Sequence, residues 1–208
     1  MTQEEKPQIY TFNCRHRIGI LTKKSEMVEQ PKCTVCDRFI LEEIGYSKVE
    51  LEIDTYNGED MFKSRTVTMV TEKLHNALQQ AGIKGYAPLK VSKVRFKYSE
   101  VDLKTVPNLV YLAVLSPAVG NIPIAYDYTG RCEACKQYHS KYNEEKSVLI
   151  NRKSDKDAAH LQVYYDSWEG ADIFNLADHG ELGVTQKFLD VLKDFNCPDL
   201  VVIPAEWI

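Results

Sequence analysis

The chain has 208 residues, of which 44% are hydrophobic and 27% charged, so it can bury a substantial core as one large domain or two small ones. Its 26 basic and 30 acidic residues give a formal net charge of −4, which argues against a broad phosphate-binding surface. No apolar run approaches the ~18 residues of a membrane-spanning helix, and residues 1–7 are too polar for a secretory signal. We therefore expect a cytoplasmic protein with reduced thiols.

The first half contains several segments suited to β-strands. Residues 9–20 are expected to be extended, and Cys14 within them is expected to be a small buried side chain rather than a metal ligand or a nucleophile. Over residues 47–55 apolar side chains alternate with acidic ones, and this period of two predicts a strand with one buried and one solvated face. Two further strands are predicted at residues 83–91 and 90–98.

Two amphipathic helices are predicted. The first follows Thr68 or Thr71, whose hydroxyl can cap it, and runs to about Ala81. The second follows Thr185 as its cap and ends near Asn196.

Two other strand predictions rest on apolar runs. Residues 109–115 are apolar enough to be buried on both faces of a sheet. Residues 200–203 form a shorter run, and we expect Pro204 to end that strand.

Four of the six cysteines form two Cys-x-x-Cys turns, at residues 33–36 and 132–135. Two such turns are typical of a tetrahedral zinc site formed by Cys33, Cys36, Cys132 and Cys135. Four thiolates saturate the ion, so the expected role of the zinc is structural, and it would join segments that are distant in the sequence. The alternatives are a vestigial site with free thiols, redox or iron–sulfur chemistry, and a site in which His139 replaces one thiolate.

The residue after each second cysteine is Asp37 in the first turn and Lys136 in the second. Many zinc turns have a glycine there, because the backbone often adopts a positive φ at that place. Aspartate tolerates the left-handed region better than most residues, whereas lysine is a poorer fit. We therefore expect Asp37 to suit the turn better than Lys136.

Motifs of the first half recur in the second at separations of 112 to 114 residues. The matched motifs and positions are Gly58-x-Asp60-x-Phe62 with Gly170-x-Asp172-x-Phe174, Val70-Thr71-x-Lys73-Leu74 with Val184-Thr185-x-Lys187-Phe188, Leu78 with Leu192, and Gly82 with Asn196. A Cys-x-x-Cys turn precedes each set. An internal duplication explains this pattern, and chance similarity of two amphipathic helices is the alternative.

The predicted fold class is therefore mixed α+β. We expect residues 1–208 to form a single compact unit with two similar halves, 1–115 and 116–208. Each half would contain a Cys-x-x-Cys knuckle, strands and one amphipathic helix. The two knuckles would then meet across a pseudo-twofold axis and share one ion.

The sequence lacks the motifs of familiar enzymes. It has no His-Glu-x-x-His motif, no Gly-x-Ser-x-Gly motif and no glycine-rich phosphate loop. Asp60 and Asp172 could be paired carboxylates, but we favour a role as turn residues that bond the following backbone amides. We therefore expect a protein that is not an enzyme.

Three features together resemble a known family. They are the two cysteine turns, the Trp-Glu-Gly-Ala-Asp-Ile-Phe segment at residues 168–174, and a closing helix followed by Val202-Ile203-Pro204. These features are similar to those of the double-CxxCG family of immunity proteins from bacterial polymorphic-toxin systems. The turn of that family is Cys-x-x-Cys-Gly, so this chain departs from it at Asp37 and Lys136.

The resemblance implies a non-catalytic cytoplasmic protein that binds and neutralises a cognate protein toxin, without nucleic-acid or membrane binding. Such a protein needs a rigid complementary surface with a few aromatic or charged anchors. The candidate partner-binding residues are Tyr138, Tyr142, Glu144, Glu145, Tyr164, Tyr165, Asp166 and Trp168. The alternative is that half or more of these aromatic residues belong to the core.

Two other functional classes fit the cysteine pattern. A zinc-ribbon accessory protein that binds nucleic acid would carry a basic stripe across the knuckles and bind in a salt-sensitive way. A thiol redox protein would carry no metal, and one cysteine of each turn would have a lowered pKa.

Overall fold

The computed structural model describes residues 6–37, 45–64, 67–97, 106–121, 126–135, 138–142, 144, 161–177 and 182–208. Within these ranges the chain is mostly β-strand, with two α-helices and one short 3₁₀ turn, so the mixed α+β prediction is confirmed. No helix in the described part of the chain is long and apolar enough to cross a membrane.

The strands and helices divide into two series, which we call the first half (β1–β7 with α1) and the second half (β8–β15 with α2). The first half consists of β1 (Ile9–Cys14), β2 (Ile20–Leu21), β3 (Glu26–Met27), β4 (Tyr46–Ile53), β5 (Met61–Ser64), β6 (Val67–Thr71), α1 (Glu72–Gln80) and β7 (Tyr86–Phe96). The second half consists of β8 (Leu109–Val114), β9 (Pro117–Asn121), β10 (Tyr126–Arg131), β11 (Tyr138–Tyr142), β12 (Leu161–Val163), β13 (Ile173–Ala177), β14 (Leu182–Thr185), α2 (Gln186–Leu192) and β15 (Leu200–Trp207).

The local sequence explains where the helices begin and end. The hydroxyl of Thr71 caps α1 by accepting a hydrogen bond from the Leu74 N–H at 3.2 Å. Gly82 follows α1 with a φ of 64°, which glycine adopts without strain. Helix α2 also follows a threonine, but the Thr185 hydroxyl donates to Asp172 at 3.0 Å and does not cap the helix.

Two sheets have the same strand order. One is an open sheet with the order β2-β4-β7-β8-β6-β5, in which β3 also pairs with β4. The other is a closed six-stranded barrel that can be read as β9-β12-β15-β1-β14-β13. Each strand in the order of the open sheet matches the strand at the same place in the order of the barrel. The match includes the two parallel pairs, β4–β7 and β12–β15.

The first strand of each half lies in the sheet of the other half. Strand β1 lies between β14 and β15, whereas β8 lies between β6 and β7. Each sheet is therefore completed by a strand of the other half.

Asp60 and Asp172 connect each half to the loop after the helix of the other half. The Asp60 carboxylate accepts hydrogen bonds from the Thr71 hydroxyl at 2.7 Å and the Asn196 N–H at 3.0 Å. The Asp172 carboxylate accepts matching bonds from the Thr185 hydroxyl and the Lys84 N–H, both at 3.0 Å. The sequence analysis expected both aspartates to bond the following backbone amides, but each bonds instead to a threonine hydroxyl and to a backbone amide of the other half.

Three apolar cores follow from this arrangement. The central core lies between the halves and includes one face of each helix, with Leu74 and Leu78 from α1 and Phe188 and Leu192 from α2. Each sheet also encloses a core of its own. The members of the first-half core include Val49, Leu51, Ile53, Phe62 and Met69, and those of the second-half core include Ile9, Ala118, Val163, Phe174 and Leu176.

Several predicted elements differ from the structure. The sequence analysis missed the hairpins β5–β6 and β13–β14, and it divided the single strand β7 into two. Residues 9–20 do not form one extended segment, because β1 ends at Cys14. Pro204 does not end β15, since it pairs with Tyr10 of β1 inside the strand.

Candidate metal centre

The two Cys-x-x-Cys turns come from different parts of the fold. The turn at residues 33–36 lies between β3 and β4, whereas the turn at residues 132–135 lies at the end of the β10–β11 hairpin. Their four sulfur atoms lie within 4.8 Å of one another, so the predicted set of cysteines is brought together and could hold a metal ion. The two turns are 99 residues apart, and the cluster therefore joins the halves.

The distances between the sulfur atoms fit a tetrahedral ion. Across the cluster, Cys33 Sγ lies 3.9 Å from Cys132 Sγ, and Cys36 Sγ lies 3.6 Å from Cys135 Sγ. Four thiolates about 2.3 Å from a central zinc would lie roughly 3.8 Å from one another. A disulfide would require about 2.05 Å. All four cysteines are free thiols. The sulfur separations therefore match a metal site and not a pair of disulfides.

Backbone amides in the turns favour the thiolate form of two cysteines. The N–H groups of Cys36 and Val35 lower the pKa of the Cys33 thiol to about 6, and the Val35 N–H lies 3.4 Å from its sulfur. In the second turn, the amides of Cys135 and Ala134 lower the pKa of Cys132. Because thiolates are the form that binds metal, both turns are prepared for a cation.

Asp37 adopts the backbone conformation expected after the first turn. Its φ is 56°, in the left-handed region where many zinc turns have a glycine, and its N–H donates to the Cys33 carbonyl at 2.9 Å. The Lys32 ammonium lies 3.4 Å from the Asp37 carboxylate. Lys136, which holds the corresponding place in the second turn, lies outside the described residues.

The cluster has a buried edge and a more accessible edge. Cys33 and Cys132 are buried, whereas Cys36 and Cys135 are half-buried. Beside the second turn, the Arg131 guanidinium forms an ion pair with Glu169. This pair connects the cysteine cluster to the segment at residues 168–174 that the sequence analysis singled out.

The predicted substitute ligand, His139, is not among the residues that converge on the site. The other two cysteines also lie apart from it, in or against the central core. Cys14 is buried as expected, and burial raises the pKa of its thiol. Burial, with smaller contributions from Asp60 and Cys14, raises the pKa of Cys197 to about 12.

The candidate partner-binding residues occupy three environments. Tyr138 and Tyr142 lie at the ends of β11, which pairs with β10. Glu144 and Asp166 are exposed, whereas Tyr164, Tyr165 and Trp168 are half-buried. Glu145 lies outside the described residues.

Tyr165 and Trp168 pack together with Trp207 against the barrel. The Trp168 ring centroid lies 5.8 Å from that of Tyr165 and 5.1 Å from that of Trp207. The Trp168 indole N–H donates to the Ala171 carbonyl at 2.8 Å, and the Trp207 indole N–H donates to the Pro7 carbonyl at 2.7 Å. These contacts give the two predicted anchors a packing role at the surface of the barrel.

The sequence analysis missed one ionisable cluster, formed by His16, Glu59 and Asp199. The imidazole of His16 lies between the two carboxylates, which belong to different loops. No spacing rule could have revealed it, because its members are far apart in the sequence and meet only through the exchange of β1 between the halves.

No protein-family model matches the chain, and no curated protein sequence matches it.

Proposed function

We propose that Cys33, Cys36, Cys132 and Cys135 bind one structural zinc ion. The sulfur separations of 3.6 and 3.9 Å are the observation that carries this proposal, since they are close to the edge of a zinc tetrahedron. Soft thiolate ligands favour zinc over hard cations such as magnesium. Four protein ligands leave no position on the ion for a substrate or an activated water, so its role is to hold the two halves together.

Elemental analysis of the purified protein tests this proposal. We expect one zinc per chain in the wild-type protein and none in Cys132→Ser. Iron in place of zinc would overturn the identity of the metal. A metal-free protein in which the four thiols exchange reversibly with disulfides would favour the thiol redox alternative.

We also propose that the chain arose by an internal duplication, with the boundary between β7 and β8 rather than after residue 115. The common strand order and the matching bonds of Asp60 and Asp172 support this boundary. Further matched bonds join Arg15 N–H to the Asp199 carbonyl and Leu115 N–H to the Gly85 carbonyl, at 3.0 and 3.1 Å.

For the function of the whole protein, we propose a cytoplasmic immunity protein that binds and neutralises a cognate bacterial toxin. The observation that supports it is the combination of paired cysteine turns with the segment at residues 168–174, the features that resemble the double-CxxCG immunity family. The ion pair between Arg131 and Glu169 supports a shared role for the two features, because it joins them in space. A saturated thiolate site is compatible with a binding protein that performs no chemistry.

Co-expression with the toxin encoded beside it tests the proposed function. We expect the wild-type protein to restore growth and to co-purify with the toxin. Charge reversal at the exposed Asp166 and Glu144 should weaken binding while leaving the zinc content unchanged, whereas a reversal at the exposed Asp194, after α2, is the matched control. Absence of both rescue and a complex would overturn the proposal. Salt-sensitive retention of nucleic acid would favour the zinc-ribbon alternative.

A further inference from the structure

The two cysteines of each turn differ in their access to solvent. Cys33 and Cys132, the first cysteine of each turn, are 5% and 7% exposed. Cys36 and Cys135, the second cysteine of each turn, are half-buried. Because the asymmetry is the same in both turns, the cluster has one pair of accessible cysteines and one pair of buried cysteines.

Backbone amides add to the protection of the buried pair. The Cys33 sulfur accepts a hydrogen bond from the Val35 N–H at 3.4 Å. The Cys132 sulfur accepts hydrogen bonds from the N–H groups of Cys135 and Ala134. A hydrogen bond that stabilises the charge of a thiolate also makes the sulfur a weaker nucleophile. Both burial and hydrogen bonding therefore slow the reaction of the buried pair with a small oxidant.

The sulfurs of the accessible pair lie opposite each other across the two halves. Cys36 Sγ is 3.6 Å from Cys135 Sγ. A disulfide bond is about 2.05 Å long, so the two atoms need to approach by roughly 1.5 Å to form one. Because one sulfur belongs to each turn, this bond would link the first half to the second.

The two cysteines outside the cluster are poor competitors for an oxidant. Cys14 is 1% exposed, and burial raises the pKa of its thiol. Burial, followed by the charge of Asp60, raises the pKa of Cys197 to about 12. Peroxides react with thiolates rather than thiols, so both residues stay reduced while the cluster reacts.

We propose that Cys36 and Cys135 are an oxidative modification site, at which hydrogen peroxide replaces the zinc link between the halves with a disulfide. This inference rests on the zinc proposed for the cluster. It assigns the accessible pair of thiolates a second role, as the place where the link responds to an oxidant.

The reaction consumes one peroxide for each disulfide. One thiolate of the accessible pair attacks a peroxide oxygen, the O–O bond breaks, and a sulfenic acid and hydroxide form. The other thiolate attacks the sulfenic sulfur and displaces a second hydroxide. Two protons from the solvent convert both hydroxides to water. The two sulfurs together lose two electrons, and the peroxide gains them.

The modification changes what holds the two halves together. A disulfide removes two of the four thiolate ligands, and Cys33 and Cys132 alone do not complete a tetrahedral site, so the zinc is released. The new covalent bond joins the same two turns. The oxidised protein therefore loses its metal while the halves stay connected, and thiol–disulfide exchange with a reductant restores the ligands.

Peroxide titration of the zinc-loaded wild-type protein tests the proposal. A colorimetric chelator measures the released zinc, and mass spectrometry of peptides locates the disulfide. We expect all the zinc to be released by about one equivalent of peroxide, together with a peptide that joins Cys36 to Cys135. The melting temperature of the oxidised protein should no longer respond to a chelator.

Two results of this titration would overturn the modification site. One is a disulfide within either turn, and the other is zinc that stays bound after the peroxide has been consumed. A protein without zinc before peroxide is added would give a different result, because it would overturn the proposed zinc site itself and this inference with it.

Two double variants compare the two edges of the cluster. Cys36→His with Cys135→His removes the accessible thiolates, and Cys33→His with Cys132→His removes the buried ones, while histidine keeps a zinc ligand at each place. We expect the first double variant to release zinc at least about tenfold more slowly than the wild type, because its remaining thiolates are protected. The second should release zinc at nearly the wild-type rate.

A control variant and the wild-type peptide map complete the test. Cys197→Ala should release zinc as fast as the wild type, because its thiol takes no part in the reaction. Equal rates for the two double variants would overturn the assignment of the accessible pair. Should either double variant fail to fold, the position of the disulfide in the wild-type protein decides the question.

Discussion

The two halves of the molecule fill equivalent spaces with different side chains. In the β5–β6 hairpin Phe62 pairs with Met69, and in the β13–β14 hairpin Phe174 pairs with Gly183. The ring of Phe174 lies over Gly183 so closely that a Cβ there would be 2.0 Å from a ring carbon. The matched hairpins therefore hold two large side chains in one half and one in the other, with the Phe174 ring occupying the space beside Gly183.

Other features are the same in both halves. Each half has a Cys-x-x-Cys turn that contributes to the cluster, and an aspartate and a threonine joined by a hydrogen bond at the base of its helix. The features that recur join the halves, whereas the core side chains and the corner at His16 differ between them.

The largest effect should come from removing a cysteine, because the proposed ion belongs to both halves. We expect Cys33→Ser and Cys132→Ser to lose the zinc and to lower the free energy of unfolding by the same amount, more than about 3 kcal/mol, since metal binding is coupled to folding. Urea unfolding of both variants, with zinc quantified in each sample, provides the measurement.

Chelation supplies the control for the cysteine variants. Stripping the metal from the wild-type protein should reproduce their loss of stability, and the chelator should have no further effect on the variants. Unequal losses for Cys33→Ser and Cys132→Ser would contradict a single ion shared by the halves. A variant that kept its melting temperature while losing toxin binding would show that the cluster acts in recognition rather than in stability.

The matched core positions Met69 and Gly183 should both be destabilised, the first by a smaller side chain and the second by a larger one. Met69→Ala should cost about 2–5 kcal/mol because it leaves a cavity in the first-half core. Gly183→Ala should cost about 1–3 kcal/mol because its Cβ meets the Phe174 ring. Thermal or urea unfolding measures both.

A compensating change and a neutral glycine complete the test of the core. The double variant Gly183→Ala with Phe174→Leu should recover part of the loss, because the smaller side chain leaves room for the Cβ. Gly45→Ala, where a Cβ would meet nothing within 4 Å, should change the stability little. An additive double variant would mean that Phe174 and Gly183 do not compete for the same space.

The elements that depend on short-range patterns could be predicted from the sequence. The alternation over residues 47–55, the amphipathic spacing of the two helices and the paired Cys-x-x-Cys turns each reflect a short-range rule, and the structure contains β4, both helices and the cysteine cluster. The threonine rule holds at α1 alone, because the Thr185 hydroxyl does not cap α2. Cysteine spacing needs no knowledge of topology, because a tetrahedral site restricts its ligands to a few patterns.

The non-local part could not be predicted from the sequence. The hairpins β5–β6 and β13–β14 are nearly uniform in burial, with all residues of β6 and β14 buried, so they lack the alternation that marks a half-exposed strand. The exchange of β1 and β8 between the sheets has no local signal. The position of His16 between Glu59 and Asp199 depends on that exchange and was therefore equally hidden.

The two matched aspartates should differ in how much their replacement lowers the free energy of unfolding, because they differ in burial. Asp172 is buried and accepts bonds from Thr185 and Lys84, whereas Asp60 is half-buried and accepts matching bonds. We expect Asp172→Asn to cost about 2 kcal/mol and Asp60→Asn less, because a mismatched polar pair is more costly away from water. Urea unfolding at neutral pH decides the order, and a larger cost for Asp60→Asn would contradict it.

The smallest predicted effect concerns His75 of α1, whose matched position in α2 is Leu189. The side chain of His75 is buried, its Nε2 has no hydrogen-bond partner among the described residues, and burial lowers the pKa of its imidazole. A histidine whose pKa is lower in the folded than in the unfolded state favours the neutral ring on folding. The contribution of the neutral ring to the free energy of unfolding is therefore retained above the unfolded pKa of about 6.5. It declines as the pH falls through that value.

Replacing His75 with the matched leucine should remove both the unpartnered buried nitrogen and the loss of stability at low pH. We expect His75→Leu to raise the free energy of unfolding by about 1 kcal/mol at pH 8, since an unsatisfied buried nitrogen is lost. The gain should be larger at pH 5, because protonation of His75 then favours the unfolded state of the wild-type protein. Leu189→Met, a change of similar volume in the other helix, should give the same small effect at both pH values. Equal gains for His75→Leu at pH 8 and pH 5 would show that His75 does not titrate differently in the folded and unfolded states.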